Sequence, residues 1–194
     1  MFHLNLNMNN KLDNNSIIMG IDPGTNIMGF GIIKVEKKEM KLIEMIEYKL
    51  PKSDDHNSKL SKIFKKTTEL IKIHKPNSIS IESPFFGKNV QSMLKLGRAQ
   101  GVSIAAALNS KIPITEYSPK KIKMAITGNG NSSKEQVAKM LKSMLNIKEL
   151  PKNLDSTDGL AAAVCHFFNF ENEKQKKKYS DWSSFIDKNP NKIV

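Results

Sequence analysis

Four carboxylates stand where they could act together on one substrate. Asp22 follows the apolar residues 17–21, and Glu82 ends a second apolar run, Ser78–Glu82. A short apolar run rich in β-branched residues and followed by a turn is typical of a buried strand, so both acids are expected at the rim of a sheet. Asp155 and Asp158 begin a later helical pattern, and residues three apart share one face of a helix.

Acids that converge in this way need a positive counter-charge. Like charges raise one another's pKa, so a cluster of ionised carboxylates is unfavourable by itself. A hard divalent cation removes the conflict, and carboxylate oxygens are ligands that suit Mg2+. The four positions therefore predict a magnesium site.

Each acid alone also has an ordinary structural explanation. Asp22 precedes Pro23 and Gly24, which are common turn residues. Asp155, with Asp158 three residues later, can cap a helix and complement its dipole. These alternatives stay open for single residues, but caps and turns do not readily explain all four acids together.

The basic residues favour a polyanionic partner. The net charge is +12 and the pI is about 9.6, which is typical of proteins that bind nucleic acid. Because every basic residue except Arg98 is Lys, and Asn and Ile are abundant, part of this excess reflects a bias toward A and T codons. Between residues 86 and 150, however, eleven Lys or Arg accompany only three Glu. The candidates for contact with a phosphate backbone are Lys88, Lys120, Lys121, Lys123 and Lys134.

Length and composition argue against a membrane-spanning, secreted or disulfide-linked protein. A chain of 194 residues suits one domain, and no apolar stretch approaches the ~18 residues of a membrane span. The Asn-rich start lacks the apolar core of a signal peptide, and the single Cys165 excludes a disulfide within the chain. We therefore predict a cytoplasmic protein with a disordered leader (1–16), one folded domain (17–170) and a solvated Lys-rich tail (171–194).

The hydrophobic patterns predict an α/β fold. Strands are expected at 17–22, 28–36, 39–50, 78–82 and 112–117, and helices at 59–75, 90–110, 133–145 and 155–168. A hairpin followed by alternating strands and helices implies a mixed five-stranded sheet flanked by helices on both faces. On the second helix, Gly97, Gly101 and Ala105 recur every four residues. That spacing permits close packing on the sheet or, alternatively, self-association.

Four motifs together resemble one family. They are GIDPGT at 20–25, Ile81 with Glu82, LKLGRAQG at 94–101 and DSTDGLA at 155–161. Over residues 17–166 the chain resembles the RuvC family of Holliday junction resolvases. The resemblance implies an RNase H-like fold and a homodimeric endodeoxyribonuclease that nicks four-way junctions symmetrically in recombination and repair, leaving 5′-phosphate ends. It also implies a partnership with a branch-migration motor of the RuvA and RuvB type.

The resemblance also assigns roles to residues. The four carboxylates, Asp22, Glu82, Asp155 and Asp158, would hold two Mg2+ ions per active site, for which Mn2+ can substitute. Asp22 is expected to bridge the ions because it ends the central strand. Lys134 would neutralise charge on the reacting phosphate, and Lys123 would also lie in the active site. Of the two aromatic residues after Glu82, Phe85 is expected to stack on a base and Phe86 to pack in the core.

Three other functions remain open from the sequence. An ATP-using phosphotransferase of the actin and sugar-kinase type also begins with a strand, an Asp and a Gly-Thr turn, but normally needs two such domains. A nuclease of the same fold could act on RNA precursors instead of branched DNA. A catalytically inert DNA-binding module is disfavoured by the presence of all four carboxylates.

Overall fold

One mixed sheet of five strands organises the described residues. The computed structural model describes residues 15–84 and 89–177, and its sheet has the order β3-β2-β1-β4-β5. The strands are β1 (Ser16–Asp22), β2 (Ile27–Glu36), β3 (Glu39–Lys49), β4 (Ser78–Glu82) and β5 (Ile114–Tyr117). The helices are α1 (His56–His74), α2 (Val90–Asn109), α3 (Pro119–Thr127), α4 (Lys134–Met144) and α5 (Asp155–Lys177).

The strand directions bring the first two acids together. β1 pairs antiparallel with β2, which pairs antiparallel with β3, whereas β1–β4 and β4–β5 are parallel. Because Ile21 pairs with Ile81, the next residues, Asp22 and Glu82, end adjacent parallel strands at the same edge of the sheet. β1 is the central strand, as predicted.

Two apolar cores lie on opposite faces of the sheet. Alternating residues of β1 belong to different cores: Ile18 packs with α3, α4 and α5, whereas Met19 and Ile21 pack with α1 and α2. Side chains of a strand point alternately to the two faces, so each strand contributes to both cores. The predicted mixed sheet with helices on both faces is confirmed.

Helix α5 lies directly against the backbone of β1 and β2. A Cβ added at Gly31 would lie 2.2 Å from the Leu160 Cα, and one at Gly20 would lie 2.0 Å from the Gly159 carbonyl oxygen. No side chain fits at these distances. Glycine in both strands therefore lets the helix approach the sheet more closely than any other residue would permit.

Two elements differ from the sequence prediction. Residues 119–127 form a helix, which the hydrophobic pattern does not predict because the segment is short. Ser118 caps this helix and Pro119 is its first residue, which is a common start signal. The last helix was predicted to end at residue 168, but α5 continues to Lys177 because the charged segment after residue 170 is also a good helix former.

Part of the predicted organisation lies outside the described residues. Most of the leader and of the tail fall there, as do Phe85, Phe86 and Lys88. The division into leader, domain and tail therefore stays a prediction. In the part of the chain that is described, no helix has both the length and the hydropathy needed to cross a membrane.

Substitution of Gly31 by Ala should destabilise the fold. The added methyl group would overlap the backbone of Leu160 and force α5 away from the sheet, at a cost of about 1–3 kcal/mol in the free energy of unfolding. Urea denaturation followed by circular dichroism measures this change.

Ser80→Ala is the matched control on the same face of the sheet. Ser80 is fully buried, pairs with Gly20, and its hydroxyl has no hydrogen-bond partner among the described residues. Removing that hydroxyl should leave stability unchanged or raise it. Equal losses in the two variants would contradict the proposed close contact.

Candidate active site

Three elements bring the four acids to one edge of the sheet. Asp22 and Glu82 end β1 and β4, and Asp155 and Asp158 lie in the first turn of α5. A Cβ added at Gly29 would lie 2.0 Å from the Asp155 carbonyl oxygen, and Gly29 is the residue of β2 that pairs with Asp22. The close approach of α5 therefore places the start of the helix beside the end of β1.

Lys134 lies against the two acids of α5. Its Nζ is 2.5 Å from Asp158 Oδ2 and 3.5 Å from Asp155 Oδ1. Lys134 is the first residue of α4, and the start of this helix is fixed by a capping box between Ser133 and Gln136. The cap thus positions the ammonium group at the acids.

Burial and repulsion raise the pKa of the acids on the strands. Burial raises the pKa of Asp22 well above its usual value, and the charges of Glu82 and Asp158 raise it further. Burial also raises the pKa of Glu82 to about 7, with a further increase from Asp158, although Lys134 and Lys123 oppose the change. Ionisation of both carboxyl groups is therefore less favourable than that of a free acid until a cation approaches them.

The pKa values of the ion pair also shift. Burial raises the pKa of Asp158 although Lys134 opposes this through its hydrogen bond and its charge. Burial alone would lower the pKa of Lys134, but the hydrogen bond with Asp158 and the surrounding acids raise it overall. Lys134 is thus held as a cation within the acid cluster.

A cleft of about 750 Å³ opens beside these groups. It is lined by three of the four acids and by three of the predicted DNA-contacting lysines: Asp22, Glu82, Asp158, Lys120, Lys123 and Lys134. Asp155 borders this set through its contact with Lys134. Lys121 instead lies over the Tyr117 ring, with its Nζ 4.9 Å from the ring centre, and does not line the cleft. The predicted contacts Phe85 and Lys88 lie outside the described residues.

The donor set is suited to a hard divalent cation. All four acids offer carboxylate oxygens, and a cation would relieve the repulsion that raises the pKa of Asp22 and Glu82. Among the described residues, no group of three or more His, Cys, Asp or Glu side chains already has the arrangement of a metal site. The Lys134 ammonium occupies the position next to Asp155 and Asp158, so small movements of these side chains would accompany metal binding.

Thr127 supports this site, although its role is not visible in the sequence. The Thr127 hydroxyl lies 2.8 Å from the Lys123 carbonyl oxygen and 2.8 Å from the Ser132 hydroxyl, and it accepts a hydrogen bond from the Asn129 amide at 3.2 Å. It therefore joins the end of α3, which carries Lys123, to the loop before α4. A single Thr gives no sequence signal for such a role.

Sequence comparison connects most of the described chain with one family. Residues 18–166 match the family described as crossover junction endodeoxyribonuclease RuvC. The chain is 64% identical to the protein of that name from Christiangramia forsetii, over 94% of this chain and 95% of the relative. It is 54% identical to the one from Bacteroides fragilis, over 91% and 95%.

Structural comparison gives the same result. T. thermophilus RuvC in complex with a Holliday junction substrate matches with a TM-score of 0.76 and 28% identity, over 81% of this chain and 96% of that one. The yeast mitochondrial Holliday junction resolvase Ydc2 shares the fold with a TM-score of 0.65 at 14% identity, over 87% and 84%. These matches confirm the predicted RNase H-like fold.

Without divalent cations, the protein should lose stability as the pH rises from about 4.5 to 7. Glu82 has a higher pKa when folded than when unfolded, so its stabilising contribution is complete below the unfolded value and is lost as the pH passes the folded value of about 7. The loss is on the order of 3 kcal/mol. Glu82→Gln should remove this part of the loss and leave the part that comes from Asp22 and Asp158, whose pKa values are also raised. Urea denaturation in EDTA at several pH values measures the difference.

The control is Glu149→Gln, which changes an exposed acid outside the cluster. This variant should keep the pH dependence of the wild type. If Glu82→Gln also keeps it, the carboxyl group of Glu82 does not titrate as the structure indicates.

Proposed function

We infer that this chain, which belongs to the RuvC family of crossover junction endodeoxyribonucleases, resolves four-way DNA junctions by symmetric nicks in paired strands during recombination and repair. The observation that carries the proposal is the partly buried acid cluster of Asp22, Glu82 and Asp158, which opens into a cleft lined by lysines. Acids of this kind attract metal ions, and the lysines attract a phosphodiester.

The four carboxylates would hold the metal that RuvC nucleases require. We propose Mg2+, two ions per site, with Mn2+ as a substitute, because the donors are all carboxylate oxygens. When bound, such ions lower the pKa of an attacking water and stabilise the leaving 3′-oxygen. Asp22 lies between Glu82 and the start of α5, so it is the carboxylate best placed to serve both ions.

The remaining residues orient and neutralise the substrate. Lys134 holds its ammonium group at the acid cluster and would balance charge on the scissile phosphate. Lys120 and Lys123 line the same cleft and would contact flanking phosphates. We retain Phe85 as the base-stacking residue and Lys88 and Lys121 as more distant contacts. Lys121 already covers the Tyr117 ring, which makes it the weakest candidate of the set.

One exposed face of α2 supports the homodimer. Val90, Leu94 and Leu108 are 61%, 51% and 48% exposed, and a Cβ at Gly97 or Gly101 would meet nothing within 4 Å. The glycines therefore do not pack on the sheet, which was the alternative reading of their spacing. An apolar face with small residues at its centre suits close contact with a second copy, and a junction that needs two cuts requires two active sites.

The cellular setting follows from the substrate. We propose that the protein acts in the cytoplasm on chromosomal junctions, together with a branch-migration motor of the RuvA and RuvB type. The rival ATP-using phosphotransferase is disfavoured because the described residues form one sheet rather than two domains. A relative that cuts RNA precursors would prefer an RNA hairpin to a four-way junction, so substrate preference separates the two nucleases.

Asp22→Asn should bind a four-way junction but cut it at least about 1000-fold more slowly. It removes the proposed bridging ligand and leaves the lysines of the cleft unchanged. Cleavage of a synthetic junction, a duplex and an RNA hairpin, each with and without Mg2+, measures rate and preference. Gel shifts in Ca2+ measure binding.

Glu69→Gln is the control for this experiment, because Glu69 is an exposed acid on α1 that contacts only Lys66 among the described residues. It should cut like the wild type. Cleavage by Asp22→Asn at a rate near that of the wild type would refute the assignment of the metal ligands.

Gly101→Leu should weaken the homodimer. The larger side chain would separate two α2 helices that meet at this glycine, whereas Lys139→Leu adds the same side chain to an exposed position on α4. Light scattering should give about twice the chain mass for the wild type and for Lys139→Leu, and a lower mass for Gly101→Leu. A Gly101→Leu protein as dimeric as the wild type would place the interface elsewhere.

A further inference from the structure

A second pocket, of about 350 Å³, lies beyond the turn that follows Asp22. Its lining includes Thr25 and Asn26 of that turn, His56 and Lys59 of α1, and Ser92 and Lys95 of α2. None of these residues belongs to the acid cluster or to the basic cleft. We propose that this pocket binds a second backbone phosphate of the DNA strand that is being cut. This inference rests on the proposed function.

The charge of the pocket favours an anion. Neither Lys59 nor Lys95 forms an ion pair with a carboxylate in the described part of the chain. The acid in the lining, Asp54, lies 2.5 Å from the ammonium group of Lys62, which neutralises it. Two lysines that lack a carboxylate partner therefore line one small cavity, and a phosphate oxygen is the ligand that a Lys side chain most readily binds in DNA.

Polar side chains complement the lysines. The Nε2 atom of His56 is buried and has no hydrogen-bond partner among the described residues. Asn26 accepts a hydrogen bond from the Lys59 ammonium group at 3.2 Å through its Oδ1 atom, which leaves its amide hydrogens available. A buried ring nitrogen without a partner is costly, and in the tautomer that carries the proton on Nε2 the ring would donate it to a ligand oxygen.

The N-terminal end of α2 adds to the positive potential of the pocket. The pocket lies at the first turns of α1 and α2. The Asp55 carboxylate caps α1 and offsets the partial positive charge of that helix end, whereas α2 is capped by the neutral Asn89 and has no acidic residue in its first turn. The end of α2 supports the site, while the lysines and the unpartnered His56 define it.

The chain connection limits how far the pocket can lie from the scissile phosphate. Thr25 is three residues from Asp22, so their Cα atoms are separated by at most ~11 Å. Phosphates of one strand are spaced by ~3.4 Å along the helix axis. The second phosphate therefore lies within a few nucleotides of the cut. The strand would cross the edge of the sheet, with lysines of α3 and α4 on one side and those of α1 and α2 on the other.

The test combines neutral phosphates with lysine variants. The wild type is first used with Mg2+ to map the cut site in a synthetic junction, which tests the proposed function by itself. Junctions with a single methylphosphonate at each of five positions on either side of the cut are then bound in Ca2+ and followed by fluorescence anisotropy. The same junctions are measured with Lys59→Met and with Lys95→Met, and unmodified DNA is titrated with salt.

Lys72→Met is the matched control. Lys72 is an exposed lysine of the same helix, 13 residues from Lys59 and therefore ~20 Å away along the axis. It should behave like the wild type. Lys123→Ala provides a variant in the basic cleft, whose phosphate should map to a different methylphosphonate position.

We expect Lys59→Met or Lys95→Met to reduce the slope of log K against log salt by about 0.9. One methylphosphonate should weaken binding by the wild type and have no further effect on these variants, because the contact is already lost. Lys95→Met keeps the test valid if Lys59→Met fails to fold, since Lys95 is exposed.

Two results would overturn the inference. In one, the wild type cuts the junction, but every methylphosphonate weakens DNA binding by the wild type and by the two variants equally. This result would reject the second phosphate site and leave the proposed function intact. In the other, inorganic phosphate raises the melting temperature of the wild type but not of Lys59→Met, without any methylphosphonate effect. The pocket would then bind free anions rather than DNA.

Discussion

The backbone contact between α5 and the sheet is the constraint on which the active site depends. Gly20, Gly29 and Gly31 leave no room for a side chain beneath the helix, and the Asp155 carbonyl lies directly over Gly29. Asp155 and Asp158 can reach the acid at the end of β1 only because the first turn of α5 is this close. A methyl group on the strand would move the helix outward and separate the carboxylates. The packing of α5 on the sheet therefore determines the geometry of the site.

That contact creates an electrostatic conflict which the rest of the site resolves. It collects partly buried acids and raises the pKa of Asp22 and Glu82. Lys134, which is positioned by the capping box of α4, neutralises part of the charge of the α5 acids. Asp22 and Glu82 then remain available to bind a metal ion. In the absence of cations the cluster therefore resists ionisation. A divalent ion relieves the repulsion between the carboxylates, and its binding releases the protons that the raised pKa values retain.

Local patterns predicted most of the sheet and the acids, because a buried strand ending on a carboxylate is visible in a few consecutive residues. They could not predict α3, whose nine residues contain only two buried apolar side chains, Ile122 and Ile126. Local patterns also did not indicate which face of α2 packs on the sheet and which is exposed. Its buried face includes the polar residues Gln100 and Ser103, which bond to Glu116 and to the Ala99 carbonyl, so hydrophobicity alone does not indicate which side packs inward. The pairing of Gln100 with Glu116 depends on a neighbour outside the helix, on β5.

The most direct test of this account is the anomalous diffraction of Mn2+ in crystals of the protein with a junction that cannot be cut. We predict two Mn2+ peaks that share the Asp22 carboxylate, with Glu82 on one side and the acids of α5 on the other. Lys134 should then have moved from Asp158 toward the phosphate. A Mn2+ peak that does not contact Asp22, or no peak at this edge of the sheet, would contradict the claim that the close packing of α5 serves to assemble a metal site.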